Sequence, residues 1–453
     1  MADPPDPLEL LRSKGYLFLL AVAALIGVPI SVIAYFYLEL ITWLQHELYQ
    51  WLPKELGFAG TPAWWPVPLL FVSGVVVSLV IRHLPGRGGH SPADGFKVGG
   101  GPPLPISVPG VVLASVATLA LGAVLGPEAP LIAIGGGLGA LTVQLVKSDA
   151  PPMATVVIAG AGSFAAISTL LGNPLAGAFL LMEATGLGGP LLGMVLVPGL
   201  LASGIGYLVF VGLDSWTGFG TFSLSIPHLA HLGNPTFAEV GWAVVIGLGA
   251  TVIGGTIRWV ALGIRPLVER NLVLLTPVAG IAIAGIAIAF AEGTGQSYAA
   301  VLFSGQNELP SLAGHAATWS VGALVAVVAC KGLAYGISLS SFRGGPIFPS
   351  LFIGAAGGIA MSHLPGLPMI AGMAMGIGAM STVMLKLPLT SVLVASLLVA
   401  SAGASTIPLI IVAATVAYVG SAHFSPVPPN ADQATELQEE KATAPAAGEA
   451  QAT

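Results

Sequence analysis

One carboxylate stands where a chain of this kind ordinarily carries none. Glu128, in Gly126-Pro127-Glu128-Ala129-Pro130, is the only charged side chain between Lys97 and Lys147. Apolar residues run up to it from Val108 to Leu125 and away from it from Leu131 to Val146. An ionisable group at bilayer depth costs roughly 2.5–3.5 kcal/mol on insertion scales, so its presence points to function. A second isolated acid, Glu183, is the only charge between Asp149 and Asp214. Around these acids the chain repeatedly places Gly and Pro at what read as helix starts: Gly88 to Pro92, Gly126 to Pro130 and Gly344 to Pro349. Such starts leave main-chain N–H groups unpaired and let the backbone approach a ligand closely. With roughly half a positive charge at the helix N-terminus, they make an anion site without any lysine or arginine. Each motif alone is better read as punctuation of tight helix packing. Three of them with Glu128 point to an anion pathway.

The elements that must hold these residues are membrane helices. Hydrophobic residues make up 55% of the 453, charged residues 8%, and mean hydropathy is +0.91, against about 25% charged in soluble domains. At about 20 residues per span, the chain holds well over ten helices. The alternating ten-residue segments of a membrane barrel are absent, so an all-α polytopic membrane protein is expected. Arg12 and Lys14 precede the first span, about Tyr16 to Trp43, and place residues 1–14 in the cytoplasm by charge bias. A first membrane half over 15–213, an extramembrane loop over 214–237 and a second half over 238–424 follow. Within the second half the sequence reads as a span from Val240 to Val260 and then a basic connector carrying Arg258, Arg265 and Arg270. Residues 425–453 hold Asp432, Glu436, Glu439, Glu440 and Glu449 against Lys441 and no periodic apolar face, so they read as a disordered acidic tail. Removing that tail from the net charge of −6 leaves the membrane body close to neutral, with no nucleic-acid surface. The single cysteine, Cys330, forbids an internal disulfide.

An internal repeat organises the two halves. Gly126-Pro127-x-x-Pro130 recurs as Gly345-Pro346-x-x-Pro349 at an offset of 219, and Ile134-Gly135 recurs as Ile353-Gly354 at the same offset. Pro174-Leu175 recurs as Pro388-Leu389 at an offset of 214. Repeated halves with broken helices aimed at a midplane site are the usual architecture of ion and solute transporters.

Taken with their order, Leu125-Gly126-Pro127-Glu128-Ala129-Pro130, Asn173-Pro174-Leu175-Ala176-Gly177 and the run from Lys331 through Gly344-Gly345-Pro346-Ile347-Phe348-Pro349 to Gly354 resemble the CLC chloride channel and transporter family. The likeness covers about Phe18 to Val419. It implies an inverted-repeat fold of about eighteen broken, tilted helices, and a homodimer with one pore per subunit in a bacterial plasma membrane. The ion would be chloride or a similar small anion, with protons as a second partner in the exchangers. By position Glu128 matches the family's external gating glutamate. Gly89, His90 and Ser91, Gly126 and Ala129, and Ile347 and Phe348 match the anion-binding segments. The chain departs from the pattern in four places. Gly89 stands where a selectivity serine is usual, with Ser91 nearby. Pro127 replaces an arginine, the tyrosine near the C-terminus has no counterpart, and no regulatory domain follows. The exchangers' internal proton glutamate falls, counting from Pro174, at Ala184, so the resemblance leaves the neighbouring Glu183 as the candidate proton relay.

Other chemistries find little support. There is no His-Glu-x-x-His and no Gly-x-Ser-x-Gly, so an enzyme is not expected. His90 has no second ligand at helical spacing, so neither a metal nor a cofactor is expected. Gly135 to Gly139 lacks the strand and the Lys-Ser/Thr of a phosphate loop and reads as close helix packing. Lys331 and Lys386 read either as snorkelling side chains or as attractants for anions. Ser340 and Ser341 read as pore lining or as a cap for the next helix. Passive or weakly coupled anion conduction is the leading expectation, and proton-coupled exchange is the alternative.

Overall fold

The computed structural model describes residues 12–96, 101–147, 149–186, 189–218, 225–227 and 229–424. Residues 1–11 of the N-terminal arm, residues 219–224 of the expected loop and the acidic tail therefore lie outside the described residues. The helices that build the body are α1 (Lys14–His46), α2 (Pro66–His83), α3 (Val108–Ala120), α4 (Glu128–Val146), α5 (Pro152–Leu171), α6 (Pro174–Thr185) and α7 (Gly189–Thr217) in the first half. The second half contains α8 (Phe237–Arg270), α9 (Leu272–Thr294), α10 (Val321–Ser341), α11 (Ile347–Met361), α12 (Met369–Leu385), α13 (Pro388–Leu398) and α14 (Thr406–Phe424). Among the described residues nine helices are long and apolar enough to cross a membrane, while α3, α6, α11, α12 and α13 are shorter apolar helices.

Proline sets many of the starts. Pro66, Pro152, Pro174 and Pro388 each occupy the first position of their helix, where the missing N–H costs nothing. The expected connector after Val260 is not there: α8 runs unbroken through Arg258, Arg265 and Pro266 to Arg270. One of its charges is satisfied beside the helix: Arg265 pairs with Glu269 one turn on, at 2.7 Å, and with Asp94 of the first half. Polarity in sequence was mistaken for a break in the helix.

The repeat is visible in the packing. Gly135 and Gly139 of α4 press against the Gly162 and Ile158 carbonyls of α5, and Gly354 and Gly358 of α11 press against the Gly376 and Gly372 carbonyls of α12. The α4 positions map to α11 at the offset of 219, and the α5 positions map to α12 at 214. The same junction is thus built twice, and a side chain at any of the four α4 and α11 glycines would enter the facing backbone. Close approach is what holds helices together in lipid, where apolar surface has no water to escape. Neighbour relations repeat as well. Helix α1 packs on α5 and α7 as α8 packs on α12 and α14. The halves join through α2 against α9, with Gly74 against Pro277 and Gly280 against the Leu70 carbonyl. Large apolar side chains such as Leu25, Leu208, Val252 and Leu274 point outward, the arrangement of a protein solvated by lipid.

Candidate anion pathway

The centre of the molecule is a pair of glycines related by the repeat. Gly126 N–H donates to the Gly345 carbonyl at 2.7 Å, and Gly345 N–H donates back to Gly126 at 2.6 Å, in antiparallel sense. Reciprocal bonding of equivalent residues puts the local two-fold relation between them. Helices α4 and α11 begin two residues beyond, after Pro127 and Pro346, and neither has a side-chain cap of its own.

Glu128 is the first residue of α4 and is fully buried. Its carboxylate crosses to the other half: Oε1 accepts from the Phe348 N–H at the start of α11, at 2.9 Å. The N–H groups of Ile347 and of Glu128 itself are also directed at the carboxylate. Oε2 is buried with no hydrogen-bond partner. Both oxygens lie over Gly126 and Gly345, where any β-carbon would collide with them. A side-chain anion therefore occupies the place that the helix start offers to a free one.

A cavity of about 450 Å³ reaches Ala129 and Pro130 from one side and is lined also by Gly89, His90, Ser91 and Arg343. A smaller one, about 30 Å³, reaches Leu125 and Pro127 and carries the polar groups of Gln45, Ser304 and Asn307. Glu128 lies in sequence between Pro127, on the second, and Ala129, on the first. The structure thus brings Gly89, His90, Ser91 and Ala129 to one cavity, and sets Ile347 and Phe348 behind it around the carboxylate. Gly126 belongs with the latter group, but not as a donor, since its N–H is spent on Gly345; its contribution is the space its missing side chain leaves. The expected helix start at Gly88 to Pro92 resolves into short turns, Pro85–Gly88 and Pro92–Asp94. Positive φ at Gly86, Arg87, Gly88 and Gly89 explains why glycine dominates this loop.

Glu183 lies elsewhere, near the end of α6. Its Oε1 accepts from Leu389 N–H at 3.0 Å, and its Oε2 accepts from Thr390 N–H at 2.7 Å and Thr390 Oγ1 at 2.6 Å. It thus caps the start of α13. The repeat explains the need: Asn173 caps α6 through the N–H groups of Leu175 and Ala176, and its counterpart 214 residues on is Leu387, which has no capping oxygen.

Lys331 neither snorkels nor faces a vestibule. It is fully buried and donates to the carbonyls of Ala300, Val301, Leu302 and Phe303 at 2.9–3.2 Å, holding the loop before Gly305. Lys386 donates to the Ser421 carbonyl and hydroxyl. Ser340 and Ser341 bond to each other at the end of α10, and the start of α11 has no side-chain cap. Two residues escaped sequence reasoning. Tyr335 is buried and donates to the Pro346 carbonyl at 2.8 Å, tying down the loop before α11. Arg258 lies buried in the middle of α8 rather than in a connector. Its signal was available, an arginine twelve residues inside a helix end, but the neighbouring Arg265 and Arg270 obscured it.

Comparison with known proteins agrees with this architecture. The sequence pattern described as "Voltage gated chloride channel" matches residues 99–421. The "Putative ion-transport protein YfeO" of Salmonella schwarzengrund is 30% identical over 363 residues, covering 79% of this chain and 84% of its own length. Its counterpart in Salmonella choleraesuis is likewise 30% identical over 363 residues, with the same coverage. Among solved structures, a slow cyanobacterial Cl⁻/H⁺ antiporter superposes with a TM-score of 0.71 at 18% identity, covering 94% of this chain and 98% of that one. A CLC-type fluoride/proton antiporter does so with a TM-score of 0.66 at 18% identity, covering 91% and 97%. At that identity the likeness is one of fold.

Proposed function

Because this chain belongs to the voltage gated chloride channel family, a family of multi-pass membrane proteins that transport anions, we propose that it conducts a small anion, chloride first, past Glu128. The observation that carries this reading is the Glu128 carboxylate on the Phe348 N–H, with a cavity reaching each of its two chain neighbours. A permeating anion competes with it for the same donors. Protonation removes the charge that holds it there and opens the way, so flux rises as external pH falls. Each subunit of a homodimer carries its own path. Ser91, at the cavity wall, supplies a hydroxyl for anion choice where Gly89 cannot.

Conduction is passive or weakly coupled. The position expected for an internal proton acid is Ala184, and the neighbouring Glu183 has both oxygens engaged in capping α13. The alternative, proton-coupled exchange, draws on the fold, since the two structures described above are antiporters. One experiment separates them. Proteoliposomes with an imposed chloride gradient are followed for chloride and proton movement together. Passive conduction gives chloride flux without uphill proton movement; uphill pumping that is lost in Glu183→Gln makes the protein an exchanger. Absence of chloride flux, with nitrate or another halide carried, reassigns the ion and leaves the fold.

A further inference from the structure

Arg258 is a buried cation with no ion-pair or hydrogen-bond partner among the described residues. It lies in the middle of the 34-residue helix α8, its side chain is 9% exposed, and Nε is buried with no hydrogen bond. No ion pair reaches it among the described residues. The charged and titratable groups around it do not compensate. Tyr335, on α10, spends its hydroxyl on the Pro346 carbonyl. Lys386, at the end of α12, is a second cation and bonds to Ser421. Asp94, the one acid on the adjoining turn, is committed to Arg265. Leaving an arginine buried and unpaired is among the most costly arrangements in a protein. At membrane depth it is by default a mark of function.

What the guanidinium faces is a small void. Pro92, Ala93, Gly95, Leu339, Pro346 and Met384 enclose, with Arg258, a cavity of about 10 Å³. That is about the space of a single water. Its other walls offer almost no polar side chain. Gly95, with φ +86°, has no β-carbon to crowd Nη1. Three of these residues, Pro92, Gly95 and Pro346, also line the large cavity beside Ser91 and Ala129. The void is therefore the next compartment along the same wall.

We propose that this void is an anion site in which Arg258 binds a single halide, the ion supplying the counter-charge that the protein withholds. The inference rests on the reading of the protein as an anion pathway, and it departs from the expectation that no arginine contacts the ion. Guanidinium is suited to the position because it is always charged and more weakly hydrated than an ammonium. Pro92, Gly95 and Pro346 stand between this void and the large cavity. The small volume excludes sulfate or a carboxylate.

The test is bromide-soaked crystals of the full-length protein, read by anomalous scattering, with chloride titration calorimetry of wild type, Arg258→Lys and Arg258→Gln. A bromide peak beside the Arg258 guanidinium, lost in R258Q, with chloride affinity lowered about tenfold or more there and less in R258K, supports the proposal; loss of one charge-assisted bond is worth about that much. A wild-type map with bromide at the start of α11 but none at Arg258 overturns it while leaving anion conduction standing. So does a chloride affinity unchanged in R258Q. Wild-type protein that neither binds halide nor passes it in liposomes overturns both readings. The wild-type map decides even where R258Q does not fold.

Discussion

Replacing Glu128 tests the gate most directly, and the structure sets the size of the effect. On the proposed gating, the carboxylate blocks while it holds the Phe348 N–H at 2.9 Å, and a hydrogen bond to a charged group contributes about 1.5–3 kcal/mol. An incoming anion must first displace it, so apparent affinity is reduced by the fraction of time the site is free. Deleting the side chain in Glu128→Ala removes that competition and should tighten apparent chloride binding by roughly ten- to 150-fold, at 1.4 kcal/mol per decade. Glu128→Gln keeps an acceptor for Phe348 but loses the charge, and a neutral bond contributes about 0.5–1.5 kcal/mol. Its effect should therefore be smaller than that of Ala. Both variants should carry chloride as fast as wild type or faster, with no dependence on external pH. Titration calorimetry in detergent and chloride efflux from liposomes across external pH read the two quantities separately. If the pH dependence of flux survives in either variant, Glu128 is not the gate. If Ala tightens binding no more than Gln, the carboxylate does not compete for the Phe348 donor.

Three further outcomes are expected. Glu183→Ala strips the cap from α13 and should cost about 1–2 kcal/mol, the usual worth of an N-cap, seen as a lower thermal midpoint; adding Leu387→Asn, the residue that caps α6 at the equivalent position, should recover most of it, and failure of that rescue with normal expression would sink the capping role. Gly345→Ala places a β-carbon against Glu128 Oε2 and should push the carboxylate out of the site, so flux loses its pH dependence and Glu128→Ala adds nothing further; two additive effects would contradict this. Lys331→Met removes the three N–H donors that the Ala300, Val301, Leu302 and Phe303 carbonyls share, each bond worth about 1 kcal/mol or more, and should yield unstable or aggregated protein by size-exclusion chromatography while Lys54→Met, at an exposed position of the short helix Leu52–Glu55, does not.

Much of this protein was settled by its sequence alone. Composition and the length of the apolar runs required membrane helices, because lipid leaves the backbone no other way to satisfy its hydrogen bonds. Glycine and proline located the breaks, and the offsets of 219 and 214 announced two copies of one unit, down to the glycines where α4 meets α5 and α11 meets α12. These are local matters of backbone geometry and side-chain size. What the sequence left open was every interaction between the halves. That Glu128 rests on a residue 220 positions away, and Glu183 on one 207 away, follows from how the copies dock about Gly126 and Gly345. Docking also divided the charges. Arg265 found Asp94 and stayed paired, while Arg258, seven residues earlier on the same helix, was carried inward against apolar neighbours. A charge in a sequence has no fixed environment; whether it is solvated, paired or left among apolar side chains is decided only when the other half of the chain closes over it.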